Sequence, residues 1–222
     1  FIKFIICSSD FKKKRFFWER LGIISNVTTT NANGNCVWVH ANAIGEVVAC
    51  QHLIRLIKNK YPNKQILLTT SNFSADSKAH ELKIADKVMF FPYDIPFIIK
   101  RFLKIFNLAC VMIIECDIWP NFIKICKQRK IPVVVASGVY TNGCSRSLGL
   151  RHLYAYRFRL SRDVLKNINF FSMQTEDDVK KLNSDFPYIR NVAVGGNLKL
   201  SCLNTKTLLT EKAYYSKVFN IK

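Results

Sequence analysis

Ala109-Cys110-Val111-Met112-Ile113-Ile114-Glu115-Cys116-Asp117-Ile118-Trp119-Pro120-Asn121 joins an apolar run to two acids and a Trp-Pro step. The run has the length and apolar continuity of a strand buried on both faces. Proline is favoured in the first turn of a helix, so Trp119-Pro120 predicts a helix beginning there. A buried strand that feeds a helix is the building unit of a parallel sheet. Ligands of open α/β sheets bind outside the carboxyl ends of the strands, and Glu115 and Asp117 fall at such an end.

The same alternation extends in both directions from residue 36 onward. Strands are expected at Cys36–His40, Gln65–Thr70, Lys87–Phe91, Ala109–Ile114, Ile131–Ala136, Phe170–Met173 and Asn191–Val194. Between them, Glu46–Lys60 carries Val47, Cys50, Ile54 and Ile57 at helical spacing, and Tyr61-Pro62 ends it. Further helices are expected at Ser74–Leu82 with a Ser cap, from an Asp94 cap to about Phe106, and at Trp119–Arg129. Leu148–Asn167 and Glu176–Leu182 complete the set, and the pattern fades into a polar tail after Leu200. The expected fold class is α/β, a Rossmann-like parallel sheet with helices on both faces. Residues 1–35 read as a basic, aromatic segment, 36–200 as the Rossmann-like domain, and 201–222 as the start of a further segment.

Composition narrows the class. The 222 residues are 49% hydrophobic, enough for one large core, and the net charge is +19. Such a field attracts nucleic acid, anionic lipid headgroups or phosphorylated substrates, although a solvated lysine surplus would look the same. The eight cysteines form no Cys-x-x-Cys pair, and several sit in apolar runs. Buried reduced thiols are expected rather than a zinc site or disulfide frame, and Cys116 is expected to pack rather than react. No apolar run is long enough to span a bilayer. Phe1–Cys7 is short and apolar, and Lys12-Lys13-Lys14-Arg15-Phe16-Phe17-Trp18 sets basic beside aromatic residues, a chemistry suited to an anionic membrane surface.

Polar residues gather at the predicted strand ends. Ala43-Ile44-Gly45-Glu46 joins the first strand to its helix. Glu46 in a first helical turn is either a general base held ionised by the helix dipole or a residue that only stabilises that dipole. Glu115 and Asp117 have three readings: orienting the base, binding substrate hydroxyls, or capping the next helix, with capping the simplest for Asp117. Gly195-Gly196-Asn197 is either a phosphate-contacting turn or a plain one. No metal-binding histidine spacing, Gly-x-Ser-x-Gly elbow or P-loop occurs.

Read in order, several segments resemble the 3-deoxy-D-manno-octulosonic acid (Kdo) transferases. They are Glu19-Arg20-Leu21-Gly22, Val37–Val47, Leu67–Ser71, Phe91–Pro96, Ile114–Asn121, Gln174-Thr175-Glu176 and Gly195–Lys199. The resemblance implies the N-terminal, acceptor-binding half of a GT-B glycosyltransferase. It implies inverting transfer of Kdo from CMP-Kdo to a lipid A precursor, lipid IVA, in lipopolysaccharide core synthesis. It implies no metal and no cofactor beyond the co-substrate CMP-Kdo. Glu46 would be the general base, Glu115 a supporting acid, and Gly45 a point of close acceptor approach. The partners implied are the lipid A precursor, CMP-Kdo held by a second domain, and the inner-membrane surface at its cytoplasmic face, with no nucleic acid. Where the family has an Asn-Ala-Arg-like segment, this chain has Ser137-Gly138-Val139-Tyr140. The expectation is an incomplete copy without the donor-binding domain and without turnover on its own. The alternatives are the acceptor domain of another GT-B glycosyltransferase and a non-catalytic basic α/β module that binds nucleic acid.

Overall fold

The computed structural model describes residues 11–24, 36–115, 117–140 and 163–201. Seven strands form one sheet: β1 (Cys36–His40), β2 (Gln65–Thr70), β3 (Lys87–Phe90), β4 (Leu108–Ile114), β5 (Val133–Gly138), β6 (Phe170–Met173) and β7 (Val192–Val194). Every neighbouring pair is parallel, in the order β3-β2-β1-β4-β5-β6-β7. The chain winds outward from β1 to β3, then returns beside β1 as β4 and winds the other way. The β1–β4 junction is therefore the switch point, where the connections on either side diverge and leave a crevice.

Side chains alternate across a strand, and the buried residues sort accordingly. Val37, Val39, Ile66, Leu68, Met112 and Ile114 share one core with α2 (Ile44–Lys60), α3 (Phe73–Leu82) and Leu198 of α7 (Leu198–Ser201). Trp38, Leu67, Met89, Val111, Ile113 and Val135 share the other with α4 (Pro96–Ile105), α5 (Pro120–Gln128) and α6 (Glu176–Asp185). Helices thus cover both faces, as the continuous apolar strands require. α1 (Phe11–Arg20) packs on the β3 edge, with Phe16 against Phe73 and Phe90. Residues 163–165 are helical and end the connection before β6; the earlier part of the expected Leu148–Asn167 helix lies outside the described residues, as does Cys116. Cys36, Cys50, Cys110 and Cys126 are free thiols.

Helix starts depart from expectation in three places. The cap of α3 is Asn72, whose side chain accepts from the Ala75 amide at 2.9 Å, not Ser74. Asp94 does not cap α4. Its carboxylate reaches across to α5, accepting from the Asn121 and Phe122 amides at 3.0 and 2.7 Å. Asp117, the expected cap of α5, is thereby released for another contact. Asp94→Ala is expected to lower stability by about 1–2 kcal/mol, because two first-turn amides lose their acceptor. Ser74→Ala should stay within about 0.5 kcal/mol. Urea unfolding of both variants checks this, and a costlier Ser74→Ala would refute it.

Candidate active site

The carboxyl ends of β1 and β4 bring Glu46, Glu115 and Asp117 together, as the sequence predicted. Glu46 lies in the first turn of α2, whose cap residue Ala43 offers no side-chain bond. The Glu46 carboxylate instead accepts from the Asn42 amide at 2.7 Å. Asn42 is held in turn: its carbonyl accepts from the Asn72 side chain at 3.0 Å. Glu46 therefore serves the helix start and lies within electrostatic reach of the crevice acids Glu115 and Asp117.

The dipole argument alone would keep Glu46 ionised at low pH. The site does the reverse. Burial chiefly pushes its carboxyl up to about 7; the Asn42 amide pulls down, Glu115 and Asp117 push further up, and Lys199 pulls down. Losing water costs the charged form more than one amide and one half-exposed lysine return.

Glu115 sits immediately after β4 with φ of 61°, a left-handed conformation uncommon for a residue with a side chain. Its carboxylate pairs with the Lys199 ammonium. Lys199 is the second residue of α7, on the far side of the β7 turn, and its stem lies over Gly45. A methyl group on Gly45 would touch only that stem, at 3.6 Å from Cε. Gly45 is exposed and does not have positive φ, so open space on the rim is what it contributes.

Asp117 meets a histidine that the sequence had not singled out. His40 Nε2 lies 3.2 Å from Asp117 Oδ2, and Nε2–H must donate there because a carboxylate only accepts. On the other side, His40 Nδ1 is 3.0 Å from Thr69 Oγ1, and that oxygen accepts from Trp38 Nε1 at 2.7 Å. His40 is fully buried and packs on Phe91. A chain of buried polar groups, Trp38–Thr69–His40–Asp117, thus fixes one acid of the crevice from beneath.

Two further positions complete the frame. Ser137, with φ of 57°, is buried at the end of β5. Its Oγ accepts from the Leu198 amide at 3.1 Å and from Gln174 Nε2 at 3.2 Å. The segment that departs from the family pattern therefore anchors the helix that carries Lys199. In Gly195-Gly196-Asn197 both glycine amides donate to the Met173 carbonyl, at 2.7 and 3.2 Å. Those donors are turned into the fold, so the plain-turn reading holds; Gly196 is required by its φ of 83°. Among the described residues no group of three His, Cys, Asp or Glu side chains could hold a metal ion.

The model for the 3-deoxy-D-manno-octulosonic-acid (Kdo) transferases covers residues 15–202. The chain belongs to the Kdo transferase family. A Kdo transferase of Haemophilus influenzae is 31% identical over 54% of this chain and 28% of its own length. A bifunctional glycosyltransferase/methyltransferase of Fusobacterium nucleatum is 28% identical over 83% of this chain and 28% of its own. A Kdo transferase of Aquifex aeolicus is 26% identical over 78% of this chain and 43% of its own. The chain thus spans less than half the length of these relatives. Among solved structures, a UDP-GlcNAc 2-epimerase from Neisseria meningitidis matches with a TM-score of 0.52 at 18% identity. That match covers 84% of this chain and 54% of the epimerase, and it shows the fold alone. For this member of the Kdo transferase family, the fold is the Rossmann-like N-terminal half of the GT-B architecture.

Proposed function

We propose that the chain is the acceptor-binding half of an inverting Kdo transferase that carries Kdo from CMP-Kdo to the lipid A precursor lipid IVA, without a metal. The observation that supports this most is the placement of Glu46 on the switch-point rim, half-buried among Glu115, Asp117 and Lys199, with its carboxyl near neutrality. A general base works best when its pKa lies near the working pH. In this reading, ionised Glu46 takes the proton from an acceptor hydroxyl as that oxygen attacks the anomeric carbon of Kdo. The bond to CMP breaks as the new one forms, and CMP leaves with the bonding pair. A single displacement of this kind inverts the centre. Glu115, pinned by Lys199, supports the base by keeping negative charge beside it. Gly45 leaves room for the acceptor. CMP-Kdo belongs to the second Rossmann-like domain of such enzymes, across the cleft.

The acceptor is a membrane lipid, so the reading includes attachment to the cytoplasmic face of the inner membrane, either peripheral or through an N-terminal anchor. No helix among the described residues is long and apolar enough to cross a membrane. The test is saturable binding of lipid IVA, presented in detergent micelles, by the 222-residue chain. A titration that follows the micelle blank throughout would reject the acceptor assignment.

A further inference from the structure

We propose that Asp117 binds a donor group of the acceptor, a hydroxyl or amide N–H, and that buried His40 is the positioning residue that aims it. The role rests on the reading of this chain as an acceptor-binding half. Capping of α5 is already taken, because Asp94 occupies the Asn121 and Phe122 amides. Among the described residues the Asp117 carboxylate has one hydrogen bond, from His40 Nε2 to Oδ2, and Oδ1 accepts none. The Asp117 side chain keeps 13% exposure and that of His40 none, so a ligand can reach the acid but not the histidine. Asp117 lies within electrostatic reach of Glu46 and of Arg20, whose guanidinium covers the Tyr93 ring at 4.2 Å. A carboxylate oxygen only accepts, so the group it takes must donate. A ligand phosphate would instead meet like charge there.

The two ends of the buried chain set the direction of every hydrogen in it. Trp38 Nε1–H can only donate, and the Asp117 carboxylate can only accept. Thr69 Oγ1 receives the indole hydrogen at 2.7 Å, which leaves its own hydrogen for His40 Nδ1 at 3.0 Å. The single N–H of the neutral imidazole is then on Nε2, aimed at Asp117 Oδ2. Each bond polarises the next, which strengthens the last one. The parallel register sets His40 opposite Thr69, so the chain crosses from β2 to β1 at the sheet edge. The His40 ring packs on Phe91 with centroids 4.3 Å apart, and Phe91 stacks on Trp119 at 5.5 Å. Asp117 is thereby tied to the sheet rather than to its own loop. An acceptor oxygen held in place before the ligand arrives lowers the ordering cost of binding.

The test has two arms, both on the full chain. Long-range proton–nitrogen correlation spectra of isotope-labelled histidines read which ring nitrogen carries the proton, and His40→Gln identifies the His40 signal by its loss. Wild type should show Nε2 protonated and Nδ1 bare; a bare Nε2 overturns the proposal. In the second arm, lipid IVA in detergent micelles is titrated into each variant. Asp117→Ala and His40→Phe should weaken binding about ten- to hundredfold, the worth of a hydrogen bond to a charged group. His40→Gln can still donate to Asp117 and should recover most of the affinity. Thr69→Val, at a buried position that no ligand touches, should weaken binding, and Thr69→Ser should restore it. Circular dichroism establishes which variants are folded, and Asp117→Ala, at the open end of the chain, keeps the test decisive if His40→Phe is not. Wild type that ignores lipid IVA overturns the reading above together with this one. Wild-type binding that Asp117→Ala leaves unchanged overturns this one alone, as do equal losses in His40→Phe and His40→Gln.

Discussion

Glu46→Gln is expected to lower kcat for Kdo transfer by about 100- to 10,000-fold, the range that a positioned general base supplies. The assay joins this chain to the C-terminal portion of the Aquifex aeolicus relative, so that donor and acceptor meet. Gln keeps the shape of Glu and can still accept from the Asn42 amide, so lipid IVA binding should be nearly unchanged. The pH profile carries the same signature. With the carboxyl near 7, wild-type kcat/KM should rise with pH and level off above that point. Stability should move the opposite way. The folded-state value lies above the ordinary 4.5, so between the two the folded state binds more protons than the unfolded chain. The contribution of this group to stability is then fully present below about 4.5 and lost as pH rises through about 7. Glu46→Gln, which cannot ionise, should therefore be more stable relative to wild type at pH 8 than at pH 4. A variant with unchanged kcat, or with equal stability differences at both pH values, would leave Glu46 as a helix-start residue.

The second large effect lies in the core. Trp38→Ala is expected to cost about 3–5 kcal/mol of unfolding free energy. Trp38 is fully buried, with Phe91, Phe102 and Phe122 around it at ring-centroid distances of 5.7, 4.8 and 4.9 Å. Its removal leaves a cavity among aromatics and takes one donor from Thr69, the residue that steadies His40. Trp38→Phe fills most of the volume and should cost much less, which separates packing from the hydrogen bond. Urea midpoints read both. A Trp38→Ala cost below about 1 kcal/mol would show that the core collapses to fill the space.

The strands were legible because parallel strands buried on two faces leave unbroken apolar runs, and Val37–Val39, Ile66–Leu68 and Val111–Ile114 are such runs. Glu115 was legible for a related reason: an acid directly after such a run has nowhere to go except the sheet edge; Glu46 was legible as the acid in the first turn of the helix that follows β1. The contacts that join distant segments were not. Asp94 stands two residues before Pro96, so a local pattern assigns it to α4; only the packing of α4 on α5 turns it toward Asn121. Asp117 looked like a cap for the same local reason, yet its partner is His40, which hides within the run Cys36–His40 as one more buried residue. Lys199 is unremarkable in sequence, and its place beside Glu115 depends on Ser137 holding the start of α7.

β3 is an edge strand, and the Phe90 amide, which would otherwise invite another strand, donates to Glu19 of α1 at 2.8 Å. Arg15 holds Glu19 at 3.2 Å and also binds Asp76 of α3, so the carboxylate is locked over the edge. α1 is therefore a stopper against in-plane growth of the sheet. Without it, β3 would offer unpaired backbone to a second molecule, and the sheet could extend from one copy to the next.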